Sequence, residues 1–147
     1  MSPVREPDHE RTRPLIARIW RATGDAMRAD LDAAGHPELR PAHNVVLSRA
    51  HGRGARITDM AAAVGTSKVA VTLLVDQLEE LGFVERVPDP ADGRAKLVRL
   101  TRRGRRAATV LAEAADAVEE RFRAALGANR LGRLREDLTV LVLAVEA

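Results

Sequence analysis

The stretch ITDMAAAVGTSKVAVTLLVDQLEELG, residues Ile57–Gly82, decides the fold. Apolar residues recur at helical spacing on both sides of Gly65-Thr66, which reads as two helices joined by a tight turn. Ile57 to Val64 is the first, with Thr58 expected as its N-cap. Thr66 or Ser67 caps the second, which runs to about Leu81 and ends at Gly82, a residue suited to a left-handed terminator. In that second helix Val71, Leu74, Val75, Leu78 and Leu81 fall on one side at 100° per residue, and Val64 is expected to join their buried stripe. The opposite side then presents Lys68, Val69, Thr72, Leu73 and Asp76, with Ser67 at the N-terminal end.

Downstream, Phe83–Val87 and Leu97–Leu100 are short β-prone runs around Pro88-Asp-Pro-Ala-Asp-Gly93, a stretch of turn residues. A hairpin with a protruding loop is expected there. Helix, turn, helix and hairpin in this order form a winged helix-turn-helix, whose second helix enters the major groove of DNA while the hairpin reaches the flanking backbone. Thr101 can cap a long helix to about Leu126, and a last helix from about Asn129 carries Leu131, Leu134, Leu138, Leu141, Val142 and Val145. Upstream, a long amphipathic helix is expected from Pro14 to before Gly35, then a second from Pro41 to Ala50. Residues 1–13, charged and proline-broken, read as a flexible tail.

Composition agrees with this order. The 147 residues are 46% apolar and 2% aromatic, which favours an Ala/Leu/Val helical chain of mainly α class over a β-sandwich. With no cysteine, disulfides, thiolate zinc sites and thiol-based sensing are excluded. No apolar run approaches the roughly 18 residues of a membrane span, and the N-terminus lacks a signal-peptide pattern, so a cytoplasmic protein without membrane contact is expected. The net charge of +3 is concentrated. Arg86 to Arg106 holds eight basic residues against two acidic, or +6, whereas Ala107 to Ala147 holds five basic and seven acidic, or −2. A local excess of this kind suits a polyanion partner.

Roles for individual residues follow. Ser67, Lys68 and the backbone N–H groups of the second helix suit phosphate contact; Thr72 can bond a base edge or phosphate, and Val69 can touch a thymine methyl. In the wing, Asp92 and Arg94 flank Gly93, a spacing that lets the carboxylate brace the guanidinium so that it points outward. A fixed arginine at a loop tip suits a narrow minor groove. Arg86, Lys96 and Arg99 surround the same hairpin.

The run Ile57 to Arg86, with Asp89-Pro-Ala-Asp-Gly-Arg94 and Val98-Arg-Leu-Thr101, resembles the MarR family of bacterial regulators. The resemblance is strong through residues 55 to 104. It implies a dimeric winged-helix repressor or activator that binds double-stranded DNA and is often released by a small aromatic or anionic ligand. Asp92 and Arg94 match the family's wing motif, and Ser67, Lys68 and Thr72 match its recognition-helix positions. Leu73 stands where many members carry a basic residue, and Gly93 where the wing motif often has arginine. The expected organisation is a single regulator domain over residues 14–147, with a DNA-binding lobe at 41–101 and dimerisation helices at 14–35 and 102–147.

A homodimer is also expected on physical grounds. The first helix and the last two have apolar stripes without a partner in a winged-helix unit, and wet apolar surface is unfavourable by about 25 cal/mol per Å². A two-fold dimer predicts a pseudo-palindromic operator. Trp20, His43 and Arg106 are candidates to line a ligand pocket, each with a plainer reading as an anchor, a polar helix residue or part of the basic stripe. No metal or cofactor motif and no catalytic motif is found, so an enzyme is not expected. The alternative function is a winged-helix module for protein-protein or RNA contacts, although few aromatics are available for stacking on single strands.

Overall fold

The helical spacing of Lys68–Glu80 is answered by burial on one side. In the computed structural model, which describes residues 11–147, Val71, Val75 and Leu78 are wholly buried while Val69 and Leu73 stand exposed on the same helix. Burying each of the three contributes roughly 1.5–3 kcal/mol. The side chains they meet include Leu39, Val46, Leu47, Met60, Phe83, Val84, Val98 and Leu100, one continuous core. The described residues form α1 (Thr12–Ala33), a 3-10 turn (Pro41–His43), α2 (Asn44–Arg49), α3 (Ile57–Val64), α4 (Lys68–Glu80), β1 (Val84–Asp89), β2 (Asp92–Leu100), α5 (Arg102–Leu126) and α6 (Ala128–Glu146), and the core draws on α1 to α5 and the hairpin. This is the mainly α, winged helix-turn-helix architecture expected. The chain forms two compact units that divide within α5, the first ending at Ala112 and the second running Glu113–Ala147.

Local signals set most boundaries. Ser67 Oγ accepts the Ala70 N–H at 3.1 Å to cap α4, and Gly82 (φ 79°) turns the chain after it. Thr101 Oγ1 accepts the Gly104 N–H at 3.0 Å and donates to the Gly82 carbonyl at 2.6 Å, so one hydroxyl starts α5 and closes the end of α4. α1 begins at Thr12, two residues before the expected proline, so Pro14 sits within its first turn. Of the expected tail at residues 1–13, residues 1–10 lie outside the described residues, and Thr12 and Arg13 are not tail but the start of α1.

Three expectations are corrected. The N-cap of α3 is Arg56, not Thr58. The preceding Ala55 exchanges two backbone hydrogen bonds with Val98, at 3.0 and 2.9 Å, which holds the chain extended up to Arg56. Val64 is 45% exposed, because α3 ends there at a left-handed Gly65 and its buried face is formed by Met60 and Ala61. The stretch Pro88–Gly93 is not a free loop. β1 and β2 pair antiparallel from Val84↔Leu100 to Pro88↔Lys96, then the register shifts to Asp89↔Asp92, leaving a two-residue turn at Pro90-Ala91 and a bulge at residues 93–95 on β2.

Each unit leaves apolar side chains uncovered. In the first, α1 exposes Leu15, Ile16, Ile19 and Trp20; in the second, α6 exposes Leu134, Leu138, Leu141, Val142 and Val145, while Leu131 is buried and Arg135 pairs with Glu119. No single helix among the described residues is long and apolar enough to cross a membrane.

Gly104 gives a test of the packing. A Cβ there would lie 1.9 Å from the Phe83 carbonyl oxygen, which is fixed by the Thr101 N–H at 3.0 Å. Gly104→Ala is expected to cost about 2 kcal/mol or more in urea unfolding despite alanine's better helix propensity. Gly24→Ala, in α1 with nothing within 4 Å, is expected to stabilise by about 0.5–1 kcal/mol; equal effects of both substitutions would contradict the close approach.

Candidate nucleic-acid interface

The outward side of α4 is built from its N-terminal turns. Lys68, Val69 and Leu73 are exposed, the last two at 80% and 59%. Thr72 is half-buried and its hydroxyl donates to the Lys68 carbonyl at 2.8 Å. Asp76 is exposed, but its carboxylate receives Arg86 from β1 at 2.5 Å, and Arg86 also pairs with Glu79. Burial works against the Arg86 charge, yet the bonds from Asp76 and Glu79 outweigh it and raise its pKa. Arg86, expected among the DNA-binding residues of the wing, also clamps the hairpin to α4.

At the far end of α4, Gln77 Oε1 lies 3.0 Å from His43 Nε2, while His43 Nδ1 accepts the Arg40 N–H at 3.0 Å. These partners assign the proton to Nε2, since Nδ1 must accept. His43 is buried with both ring nitrogens engaged. It pins the 3-10 turn to α4.

The wing hangs from Arg56. Its guanidinium donates to Asp89 Oδ2 at 2.8 Å (Nε) and 2.5 Å (Nη2), and lies 3.9 Å from Asp92 Oδ2. Asp89 Oδ1 accepts the Ala91 N–H at 2.9 Å, and Asp92 Oδ1 accepts the Arg94 N–H at 3.1 Å. The expected brace from Asp92 to the Arg94 guanidinium is thus a brace to the Arg94 backbone, because the bulge turns that N–H toward the carboxylate. The Arg94 side chain is exposed and has no partner among the described residues; so is Lys96, opposite Pro88 in the register. Arg99 is held by Glu85 across the strands at 2.7 Å.

Sequence reasoning missed Arg56 and Asp89, which act through space across 33 positions. The one available signal was an aspartate before proline at a turn. Trp20 stands exposed in α1, and Arg106 is exposed in α5. Neither they nor His43 line the small cleft beside α1, about 10 Å³, formed by Gly24, Arg28, Leu31, Leu39, Arg40, Pro41 and Asn44. The Asn44 Oδ1 atom is buried without a partner.

Two predictions rest on these clamps. The Ala91 N–H and then Arg56 hold the Asp89 carboxyl below the ordinary range. A depressed folded-state value means its contribution is complete above about pH 4, the unfolded value, and is lost as pH falls through the folded one. Asp89→Asn should therefore lower the melting temperature at pH 7, and the gap from wild type should close in strong acid; a gap independent of pH would show that charge is not what holds the wing. Arg86→Gln should expose Asp76 and Glu79 to phosphate repulsion and weaken duplex binding about fivefold or more at low salt. Adding Asp76→Asn and Glu79→Gln should restore most of that loss, whereas a triple variant as weak as the single one would mean that Arg86 touches DNA itself.

Comparison with known proteins places this geometry. Residues 44–96 match the model of the MarR family. Among solved structures, the chain is similar to CouR from Rhodococcus jostii RHA1, determined bound to p-coumaroyl-CoA, at 29% identity over 86% of this chain and 88% of that one, with TM-score 0.72. It is similar to a MarR-family transcriptional regulator from Rhodococcus sp. RHA1 at 29% identity over 86% and 89%, TM-score 0.67. A structure of S. aureus MepR with DNA shares the fold at 20% identity, over 91% and 98%, TM-score 0.76. Among curated proteins, none matches this chain.

Proposed function

We propose that the chain, whose residues 44–96 match the model of the MarR family, is a cytoplasmic transcriptional regulator of that family, not an enzyme, that binds a pseudo-palindromic operator as a homodimer. One observation carries the reading. Lys68, Arg94 and Lys96 are exposed and without partners among the described residues, while Arg56, Arg86, Arg99 and Arg103 are engaged in ion pairs. The paired arginines shape the winged helix, and the free cations are left to meet phosphates.

In this reading residues 14–147 act as a single regulator, with 41–101 as the DNA-binding lobe and the helices at 14–35 and 102–147 joining two copies. A second copy would cover the apolar side chains that α1 and α6 each expose, at about 25 cal/mol per Å² removed from water. Ser67, Lys68, Val69, Thr72 and Leu73 face the major groove, and Arg94 and Lys96 face the flanking backbone, with Asp92 and Arg86 as the residues that position them. The regulator acts as a repressor released by a small ligand. An aromatic or anionic molecule is favoured by the likeness to CouR, whose structure is bound to p-coumaroyl-CoA, with Trp20, His43 and Arg106 as the candidate residues.

The test is binding of the purified full chain to the intergenic DNA upstream of its own gene, followed by fluorescence anisotropy across a salt series. Contacts from Lys68, Arg94 and Lys96 in each of two copies predict a slope of log K against log salt near −5, from about −0.9 per phosphate. Arg94→Ala should shrink the slope by about 0.9 per copy and weaken all duplexes alike. Salt-independent or absent duplex binding would favour the alternative of a winged helix serving a protein or RNA partner.

A further inference from the structure

Resting on the reading of α4 as the groove-entering helix, we propose that this chain reads its operator chiefly through methyl groups, with Val69 and Leu73 packing on the C5-methyls of thymines in base pairs two steps apart. The argument begins with what the polar side chains of the helix are already doing. Between Ser67 and Asp76 the Ser67 oxygen caps the helix, the Thr72 proton is bound to the Lys68 carbonyl, and the Asp76 carboxylate holds Arg86. Only the Lys68 ammonium and the Ser67 hydroxyl proton keep free donors there, both at the N-terminal end suited to phosphate. The bidentate amide and guanidinium groups that discriminate bases by hydrogen bonding are absent from this segment.

What the segment offers instead is apolar surface. Val69 is 80% exposed and Leu73 59%, the most exposed large hydrophobics of the winged helix. They lie four residues apart, so they are neighbours on one face, about 6 Å apart along the axis. That separation matches about two base-pair steps of 3.4 Å. The occupant of this strip is indicated by its electrostatic setting: Lys68 beside it and Arg94 and Lys96 on the hairpin are unpaired cations, and the hairpin is clamped to α4 through Arg86. A polyanion with apolar groups on its major-groove edge satisfies both features, and thymine is the DNA base that carries one.

The experiment selects duplexes from a random-sequence library with the full-length protein. The best duplex is then resynthesised with deoxyuridine in place of thymidine. This keeps every base pair and every hydrogen-bonding group and removes only the methyls. The expected result is a loss of about fourfold for each contacted methyl, from burial of one carbon each. Val69→Ala and Leu73→Ala should each bring the thymine-to-uracil ratio toward one while leaving the salt slope and melting temperature unchanged, since both side chains are exposed. Equal affinity of the wild-type protein for the thymine and uracil duplexes would overturn the inference and leave DNA binding intact. Failure to enrich any sequence over random duplex would overturn both, and would mark Val69 and Leu73 as a contact for another protein.

Discussion

Phe83 is where the elements of the winged helix are fixed to one another. It is wholly buried at the end of the turn that follows α4. Its N–H bonds the Leu78 carbonyl at 2.8 Å, and its own carbonyl accepts the Thr101 N–H at 3.0 Å and sits against Gly104. Its ring meets His36 edge-on, with centroids 5.5 Å apart, and carries the Arg103 guanidinium 4.3 Å from its centre. Arg103 in turn pairs with Glu38 and donates to the Leu81 carbonyl at 2.6 Å. One aromatic residue thus joins the end of α4, the root of the hairpin, the start of α5 and the loop after α1. Hydrophobic burial places the ring, and the hydrogen bonds around it set the directions in which the chain leaves.

The arginines of this chain divide by partner. Some are structural: Arg56 and Arg86 tie the hairpin to α3 and α4, and Arg99 ties one strand to the other. The rest of the local positive charge is not consumed in this way, and it is the unpaired share that is available to another molecule. The net excess of basic residues between Arg86 and Arg106 therefore overstates the cations free to bind, since part of it neutralises Asp76, Glu79, Glu85 and Glu38 within the same fold.

The periodicity of α4, the caps at Ser67 and Thr101 and the glycine at 82 were legible because each depends on residues close in sequence. What escaped was set by contacts between distant positions. The register shift after Pro88 could not be read from composition, since turn residues suit a free loop and a bulged strand alike. The ion partners of Arg86 and Asp92 escaped for the same reason. A charged side chain in a pattern has no visible partner until the fold brings one, and here α4 and Arg56 supplied it.

The Arg56 brace has a consequence for the thermodynamics of recognition. A hairpin tip of glycine, proline and aspartate in a free chain samples many conformers, and a polyelectrolyte partner would have to select one at the cost of its entropy. With Asp89 and Asp92 held from α3 and the backbone of Arg94 held from Asp92, that ordering is complete at folding. The finger arrives with its backbone set, and the side chains of Arg94 and Lys96 are left to settle.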